Sequence, residues 1–176
     1  MSDVLLICGT NRKDSLSLPV TLAYAEILAA ERIQSNLINL QDLPEDFAFS
    51  AMYDNQGENT AFNEFIKVVA AHEKYVFIVP EYNGSFPGVL KMFIDGLPYP
   101  GAFRAKKCAL VGLSSGGHNA SLALSHLTDI FNFCGMNVLA YQPRLEHIED
   151  FVKDGKITNP KYVERLERQA KQFIKF

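Results

Sequence analysis

The stretch that decides the fold of this 176-residue chain is Val76-Phe77-Ile78-Val79-Pro80-Glu81-Tyr82-Asn83-Gly84-Ser85-Phe86-Pro87-Gly88. A short apolar run ends at Pro80, and a loop rich in turn-forming residues follows it. Beyond Gly88 the apolar residues recur three and four positions apart, which predicts a helix. In open α/β sheets, ligands bind outside the carboxyl ends of the strands. The loop between this strand and this helix is therefore expected to face a binding crevice.

Similar units recur along the whole chain. The apolar runs predict strands over 4–8, 36–40, 76–79, 108–113 and 137–141. Helical spacing predicts helices over 18–32, 59–72, 89–97, 120–133 and 160–176. The segment 41–59 has no clear period, and a loop of that length usually covers a site or contacts another subunit. Gly135 is expected to end its helix in the left-handed conformation, and Asp154-Gly155 is expected to form a charged turn.

Strands that alternate with helices predict an α/β fold, a doubly wound parallel sheet with helices on both faces. Right-handed crossovers, and a chain that starts near the middle of the sheet, favour five strands in the order 2-1-3-4-5. No internal repeat or linker interrupts the pattern. Residues 1–176 are therefore expected to form a single domain.

Composition excludes several classes of protein. The net charge is −3 and no long run of Lys or Arg occurs, so a nucleic-acid partner is not expected. No apolar stretch approaches about 20 residues and no basic start precedes one, so neither a membrane span nor a signal peptide is expected. Cys8, Cys108 and Cys134 are widely separated, which favours buried thiols and a reducing, cytoplasmic location. The four histidines are too scattered to predict a metal site.

The loop over 9–17 is polar and joins the first strand to the first helix. It matches neither G-x-x-x-x-G-K-[ST] nor G-x-G-x-x-G, which argues against an NTP or a dinucleotide pyrophosphate. A phosphate monoester would suit its helix start and its polar side chains, which are Thr10, Arg12, Ser15 and Ser17. The alternative is that Ser15 and Ser17 only cap the helix and that Arg12 is solvated. This loop by itself leaves both interpretations open.

The loops over 81–88 and 114–117 could surround a flat ring. Asn83-Gly84 permits positive φ and leaves backbone groups exposed for hydrogen bonds, while Tyr82 could lie beside the ring and Glu81 could brace the loop. The alternative for this loop is a tight turn with a partly buried Tyr82. In the loop over 114–117, small residues leave clearance for a planar ligand, although Gly116-Gly117 would also serve any strand-to-helix turn.

Three motifs occur in order along the chain: Gly9-Thr10-x-Arg12-x-x-Ser15, Pro80-Glu81-Tyr82-Asn83-Gly84-Ser85-x-Pro87-Gly88-x-Leu90-Lys91-x-x-Ile94-Asp95, and Ser115-Gly116-Gly117. Together they resemble the flavodoxin-like NAD(P)H-dependent FMN reductases, a family that includes quinone, chromate and azo-dye reductases. The resemblance runs over most of the chain, and its middle motif is highly specific.

The resemblance implies a non-covalently bound FMN, with NADPH or NADH as co-substrate and a small acceptor such as a quinone. It implies a phosphate site of Thr10, Arg12, Ser15 and Ser17, an isoalloxazine site of Pro80, Glu81, Tyr82, Asn83 and Gly84, and a far side lined by Ser115, Gly116 and Gly117. Members are usually homodimers or homotetramers with the flavin near the interface. Because the flavin carries the chemistry, no protein nucleophile or base is expected.

Departures from the family pattern concern which acceptor is used rather than whether FMN binds. They are Met92, Gly96 and His118-Asn119, beside the expected substrate face or the interface. Two other functions stay open: a flavodoxin-like carrier that does not itself oxidise a nicotinamide, and a domain that keeps the fold without the cofactor. A carrier tends to be strongly acidic, whereas −3 is mild. Arg104, Lys106 and Lys107 are available to read a 2′-phosphate but do not decide between NADH and NADPH.

Overall fold

The computed structural model describes residues 3–176. Its main sheet has the order β2-β1-β3-β4-β5, all neighbours are parallel, and β6 also pairs with β4. These strands are β1 (Val4–Cys8), β2 (Ser35–Asn39), β3 (Lys74–Pro80), β4 (Lys107–Leu113), β5 (Asn137–Val138) and β6 (Arg144–Leu145). The predicted α/β class and strand order are confirmed.

Helices cover both faces of this sheet. They are α1 (Ser17–Ala30), α2 (Phe47–Ser50), α3 (Thr60–Ala70), α4 (Gly88–Gly96), α5 (Ser121–Phe133), α6 (Ile148–Phe151) and α7 (Pro160–Lys175), and a hairpin of β7 (Val152–Lys153) and β8 (Lys156–Ile157) precedes α7. Apolar residues of α3, α4 and α5 pack on one face, and those of α1 and α7 pack on the other. The central strands are buried on both faces, which explains why they are continuously apolar rather than alternating.

The fifth strand differs from the prediction. It was expected over 137–141, but β5 ends at Val138 and the pairing with β4 resumes only at β6. Backbone bonds flank the gap: the N–H of Leu139 donates to Cys108 at 2.8 Å, and the N–H of Gly112 donates to Pro143 at 2.9 Å. Pro143 has no N–H of its own to offer a ladder, so an edge strand is readily interrupted there.

The segment 41–59, expected to be without regular structure, contains α2 and a turn of 3₁₀-helix at Tyr53–Asn55. Phe47 reaches the core, where its ring stacks on Phe62 with centroids 5.4 Å apart. Phe49 and Tyr53 remain exposed. The aromatic residues of this segment therefore divide between the core and the surface.

Other differences are small. Helix ends shift by one or two residues, and the Asp154-Gly155 turn closes the β7–β8 hairpin. Gly135 has φ of 76°, as expected for a left-handed helix end. Cys8 and Cys108 are buried thiols, whereas Cys134 is only half-buried because the surface groove between α4 and α5 reaches it. Within residues 3–176, no helix combines the length and apolar character needed to cross a membrane.

Candidate functional site

The carboxyl ends of β1, β3 and β4 meet at one edge of the sheet, because all three strands are parallel. A small pocket with a cavity volume of about 60 Å³ lies there, and residues from all three predicted loops line it. The predicted site residues on its wall are Arg12, Ser15, Ser17, Pro80, Glu81 and Ser115. The predicted residues that lie in the same loops but outside this wall are Thr10, Tyr82, Asn83, Gly84, Gly116 and Gly117.

The first loop is joined to the second by a side-chain hydrogen bond. The hydroxyls of Thr10 and Tyr82 lie 2.8 Å apart, and Thr10 is buried. The N–H of Arg12 also donates to Oγ1 of Thr10 at 3.2 Å. Thr10 therefore holds the backbone before α1 and the side chain of Tyr82 in one arrangement.

Two serines at the start of α1 differ in role. Oγ of Ser15, one residue before the N-cap Leu16, accepts from the N–H of Ser17 at 3.1 Å and so satisfies one free N–H at the helix start. The hydroxyl of Ser17 is buried and has no hydrogen-bond partner among residues 3–176. An unpaired buried hydroxyl costs free energy unless a ligand satisfies it. The capping alternative thus describes Ser15 but not Ser17.

Arg12 is exposed on the wall of this pocket. No carboxylate of residues 3–176 lies within 4.0 Å of its guanidinium. The guanidinium thus has no acidic partner, and it precedes the amino end of a 14-residue helix. The guanidinium and the helix end both carry positive charge, so together they suit an anion.

The second loop turns tightly between Tyr82 and Ser85, whose backbones exchange hydrogen bonds at 2.7 and 2.9 Å. Asn83 has φ of 52° and Gly84 has φ of 73°, the two positive values that a type I′ turn requires. A Cβ at Gly84 would meet nothing within 4 Å, so the turn is open to approach. Tyr82 is half-buried, as the tight-turn alternative expected.

Glu81 connects the second loop to the third. Its N–H donates to the carbonyl of Leu113 at 2.7 Å, and its Oε2 accepts from the N–H of Ala120 at 2.8 Å. Ala120 has φ of 56° and immediately precedes α5. The carboxylate therefore satisfies a donor at a helix start, and it braces the third loop as well as its own.

The third loop is held by its own serines. The hydroxyl of Ser114 donates to the carbonyl of Gly116 at 2.7 Å, and the hydroxyl of Ser115 donates to Oε1 of Glu149 at 2.9 Å. Gly116 and Gly117 are exposed, and a Cβ at Gly116 would meet nothing within 4 Å. Space for a planar ligand is present on this side.

A fourth wall of the pocket was not predicted from the sequence. Ile148 and Glu149 line the pocket, and they come from α6, after β6. The N–H of Ile148 donates to the carbonyl of Ser114 at 3.1 Å, which ties α6 to the third loop. Nothing in the charged segment around Asp154-Gly155 signals this contact, because the break between β5 and β6 determines where α6 lies.

His126 was also missed. It lies on the exposed side of α5, and its Nδ1 is 2.9 Å from Oγ of Ser85 in the second loop. His118, the histidine inside a predicted site loop, is exposed and uses its backbone carbonyl to accept from Ser121. Among residues 3–176, no group of three His, Cys, Asp or Glu side chains is arranged to hold a metal ion.

Cys8 ends β1 directly before the first loop. Burial raises the pKa of its thiol from 9.0 to about 11, while a hydrogen bond with Thr21 opposes the rise. A thiol with a raised pKa is not a nucleophile at neutral pH. Cys8 is therefore part of the packing beneath the loop.

The basic residues named as available to read a 2′-phosphate lie at the opposite edge of the sheet from the pocket. Lys106 and Lys107 precede or begin β4, so they lie at its amino end, opposite the pocket. Lys106 is buried, and its Nζ donates to the carbonyl of His72 at 2.7 Å. Arg104 packs beside Gly135, also at that edge. These three residues are therefore not placed to read the 2′-phosphate of a nucleotide bound at the pocket.

Known proteins resemble this chain in sequence and in fold. A family model described as NADPH-dependent FMN reductase matches residues 2–150. A 2-hydroxy-1,4-benzoquinone reductase from a Burkholderia species is 28% identical over 145 residues, which are 81% of this chain and 76% of that protein. A probable NADPH:quinone oxidoreductase 2 from Oryza sativa subsp. japonica is 27% identical over 172 residues, covering 93% of this chain and 82% of that protein.

Among solved structures, the flavoenzyme FerB from Paracoccus denitrificans, an NAD(P)H:(acceptor) oxidoreductase, superposes with a TM-score of 0.80. The two sequences are 24% identical, and the match covers 99% of this chain and 96% of that one. Fold and family together define a flavin-dependent oxidoreductase. The chain belongs to the NADPH-dependent FMN reductase family, so its cofactor is FMN and its electron donor is NAD(P)H.

Proposed function

We propose that this protein passes electrons from NAD(P)H, through FMN bound at the pocket, to a small quinone. The observation that carries the proposal is the meeting of the loops after β1, β3 and β4 around the unpaired hydroxyl of Ser17 and the unopposed guanidinium of Arg12. Two relatives are named as quinone reductases, which supports a quinone as the acceptor.

The two ends of FMN need different surroundings, and the residues of this chain offer both. The phosphate needs donors and positive charge, which the start of α1 offers through Thr10, Arg12, Ser15 and Ser17. The isoalloxazine needs an open flat space with backbone donors, which suits Pro80, Glu81, Tyr82, Asn83 and Gly84 on one side and Ser115, Gly116 and Gly117 on the other. Once bound, FMN supplies the redox chemistry, the uptake of a hydride from the nicotinamide and its transfer to the acceptor.

The protein's contribution is positional. The Thr10–Tyr82 contact joins the first loop to the second, and the Glu81–Ala120 contact joins the second loop to the third. Such bonds hold the loops in place before the ligand arrives, which reduces the ordering cost of binding. Open space beside Gly84 and Gly116 leaves room for the donor and the acceptor.

A phosphate role for Arg12 is tested by replacing it. Arg12→Ala should weaken FMN binding by about 10- to 100-fold, since a hydrogen bond to a charged group contributes about 1.5–3 kcal/mol. Riboflavin, which lacks the phosphate, should lose no affinity. Lys13→Ala is the matched control, because Lys13 is an exposed cation of the same loop that does not line the pocket. Equal losses for FMN and riboflavin would contradict the assignment.

The enzymatic role is tested by anaerobic stopped-flow mixing of the FMN-loaded protein with NADH and with NADPH. Bleaching of the flavin absorbance, followed by its return on adding a benzoquinone, is the expected result. A flavin that stays oxidised with both nucleotides, yet cycles with a partner reductase, would instead identify an electron carrier. The ratio of the two bleaching rates gives the nucleotide preference.

A homodimer is proposed on the exposed face formed by α4, α5 and the turn at Tyr53. Tyr53, Tyr99 and Phe133 are 87%, 70% and 78% exposed, and they line one groove. The rings of Tyr99 and Phe133 stack with centroids 6.3 Å apart. Contiguous exposed aromatic residues are characteristic of subunit interfaces.

Sedimentation velocity tests this interface. The unaltered protein should sediment as a dimer, or as a tetramer built from dimers, and Phe133→Lys should sediment as a monomer. Phe49→Lys is the control, because Phe49 is 84% exposed but does not line the groove. A monomeric unaltered protein would contradict the proposal.

A cytoplasmic location and a single domain are also proposed. Cys8, Cys108 and Cys134 are free, as a reducing compartment favours. The two apolar cores share one sheet, which supports residues 1–176 as one domain. Cell fractionation checks the location. A single cooperative unfolding transition, with coincident fluorescence and circular dichroism signals, checks the domain.

A further inference from the structure

We propose that His126 is the proton donor to the acceptor and that Ser85 positions its ring; this inference rests on the proposed function. Nδ1 of His126 lies 2.9 Å from Oγ of Ser85, at the end of the tight turn that begins at Tyr82. The contact joins α5 to the loop assigned to the isoalloxazine across 41 positions of sequence. Among residues 3–176, His126 is the one histidine whose side chain bonds to a side chain of this loop.

The geometry leaves one ring nitrogen available. Nε2 of His126 has no hydrogen-bond partner among residues 3–176, and the side chain is exposed. In the protonated ring both nitrogens carry hydrogen, so Nδ1–H donates to Oγ of Ser85 while Nε2–H remains for a substrate. The contact with the serine oxygen fixes the orientation of the ring.

The charged groups on the neighbouring elements form no ion pair with the ring. Asp129 is three positions further along α5, on the same side of the helix. Lys91 of α4 is ion-paired with Asp95 at 2.7 Å. Glu81 of the second loop is engaged with the N–H of Ala120. None of these carboxylates makes a salt bridge with His126.

The chemistry of the acceptor requires a proton as well as a hydride. A quinone becomes a hydroquinone by gaining one hydride, which carries two electrons, and one proton. The hydride comes from the reduced cofactor. The proton leaves Nε2 of the His126 imidazolium, the N–H bond breaks, and an O–H bond forms on the quinone oxygen that the hydride does not reach. The neutral imidazole then takes a proton from water, to which its exposure gives access.

The test uses two acceptors that differ in proton demand. The FMN-loaded protein is reduced with one equivalent of dithionite, so the measurement does not depend on the nicotinamide step. It is then mixed with a benzoquinone, which takes up a proton, or with ferricyanide, which takes up only electrons. His126→Asn should slow reoxidation by the quinone roughly 10- to 100-fold, within or just below the usual contribution of a general acid. Reoxidation by ferricyanide should change less than twofold.

Further variants separate proton donation from structure. Ser85→Ala should slow the quinone reaction by a smaller factor and leave ferricyanide unaffected. Ser125→Ala, a neighbouring exposed position of α5, is the control and should change neither rate. Added imidazole should restore part of the quinone rate to His126→Asn. Ring ¹⁵N shifts of His126 in the FMN-free protein should change in Ser85→Ala, which reports the contact without any turnover.

Equal losses with both acceptors, or an unchanged quinone rate in His126→Asn, would overturn the proposal. Failure of NADH and NADPH to reduce the flavin would contradict the proposed function alone, because the dithionite experiment still measures the oxidative step. A protein that holds no FMN would overturn both.

Discussion

The hydroxyls of Thr10 and Tyr82 lie 2.8 Å apart and join the loop after β1 to the loop after β3. Seventy-two positions of sequence separate these residues. Thr10 is buried, so its side chain cannot turn to water for an alternative partner. The contact makes the arrangement of the two loops a property of the folded protein rather than of a bound ligand.

Removal of that contact should loosen both loops. Tyr82→Phe should lower the stability of the FMN-free protein by about 0.5–1.5 kcal/mol, the usual net contribution of a hydrogen bond. Thermal unfolding should therefore begin a few degrees lower, and FMN affinity should fall several-fold. Tyr141→Phe is the control, since Tyr141 is half-buried and lies outside both loops and the proposed interface. If both variants unfold at the same temperature, the Thr10–Tyr82 bond contributes nothing.

Glu81 should matter through its acceptor oxygen. Glu81→Ala leaves the buried N–H of Ala120 without a partner, which costs about 1–3 kcal/mol. Glu81→Gln keeps an oxygen that can accept the same bond and should lose less stability. Urea denaturation measures both effects, and faster amide exchange at Ala120 should appear in Glu81→Ala only. Equal destabilisation of the two variants would show that the charge, rather than the hydrogen bond, stabilises the loop.

Gly9 should not tolerate a side chain. A Cβ at this position would stand 2.8 Å from the carbonyl oxygen of Ile78 and 3.3 Å from Cδ2 of Leu90. Gly9→Ala should therefore destabilise the protein by about 1–3 kcal/mol, as overpacking usually does. Gly101→Ala is the control, because a Cβ there meets nothing within 4 Å. A stable Gly9→Ala variant would show that β1 and β3 can separate without cost.

Cys8 should make stability depend on alkaline pH. Burial raises the pKa of its thiol from 9.0 to about 11, so between these values the unfolded chain loses a proton that the folded chain keeps. The free energy of unfolding should therefore fall as pH rises from 9 to 11, by at most about 1.4 kcal/mol per pH unit from this group. Below pH 9 the contribution is fully present.

Comparison with Cys8→Ala isolates this contribution, since other titrating groups affect both proteins alike. Urea denaturation at several values between pH 8 and 11 should show the stability difference between the two proteins shrinking towards the alkaline end. A constant difference over that range would mean that the Cys8 thiol ionises equally in the folded and unfolded chains.

Much of the fold was predictable because the burial of a segment fixes the local pattern of its apolar residues. Strands buried on both faces must be apolar throughout. In helices that cover one face of a sheet, apolar residues must recur every three or four positions. The order of the strands followed from the handedness of the crossovers. The strand order in turn predicted which loops meet at the carboxyl ends of the strands. Six of the twelve predicted site residues line the pocket there. The ligand roles of all twelve remain predictions.

The sequence by itself determined the first four strands, the five long helices and which loops share an edge of the sheet, because periodicity and crossover handedness are properties of the chain's local order. Only the tertiary structure decided that Glu149 closes the pocket, that His126 meets Ser85, and that Lys106 and Lys107 lie at the opposite edge. These relationships depend on how distant elements pack, and on where the edge strand breaks before Pro143. The physical reason is that a side chain far away in sequence leaves no periodic signal of the partner it will meet.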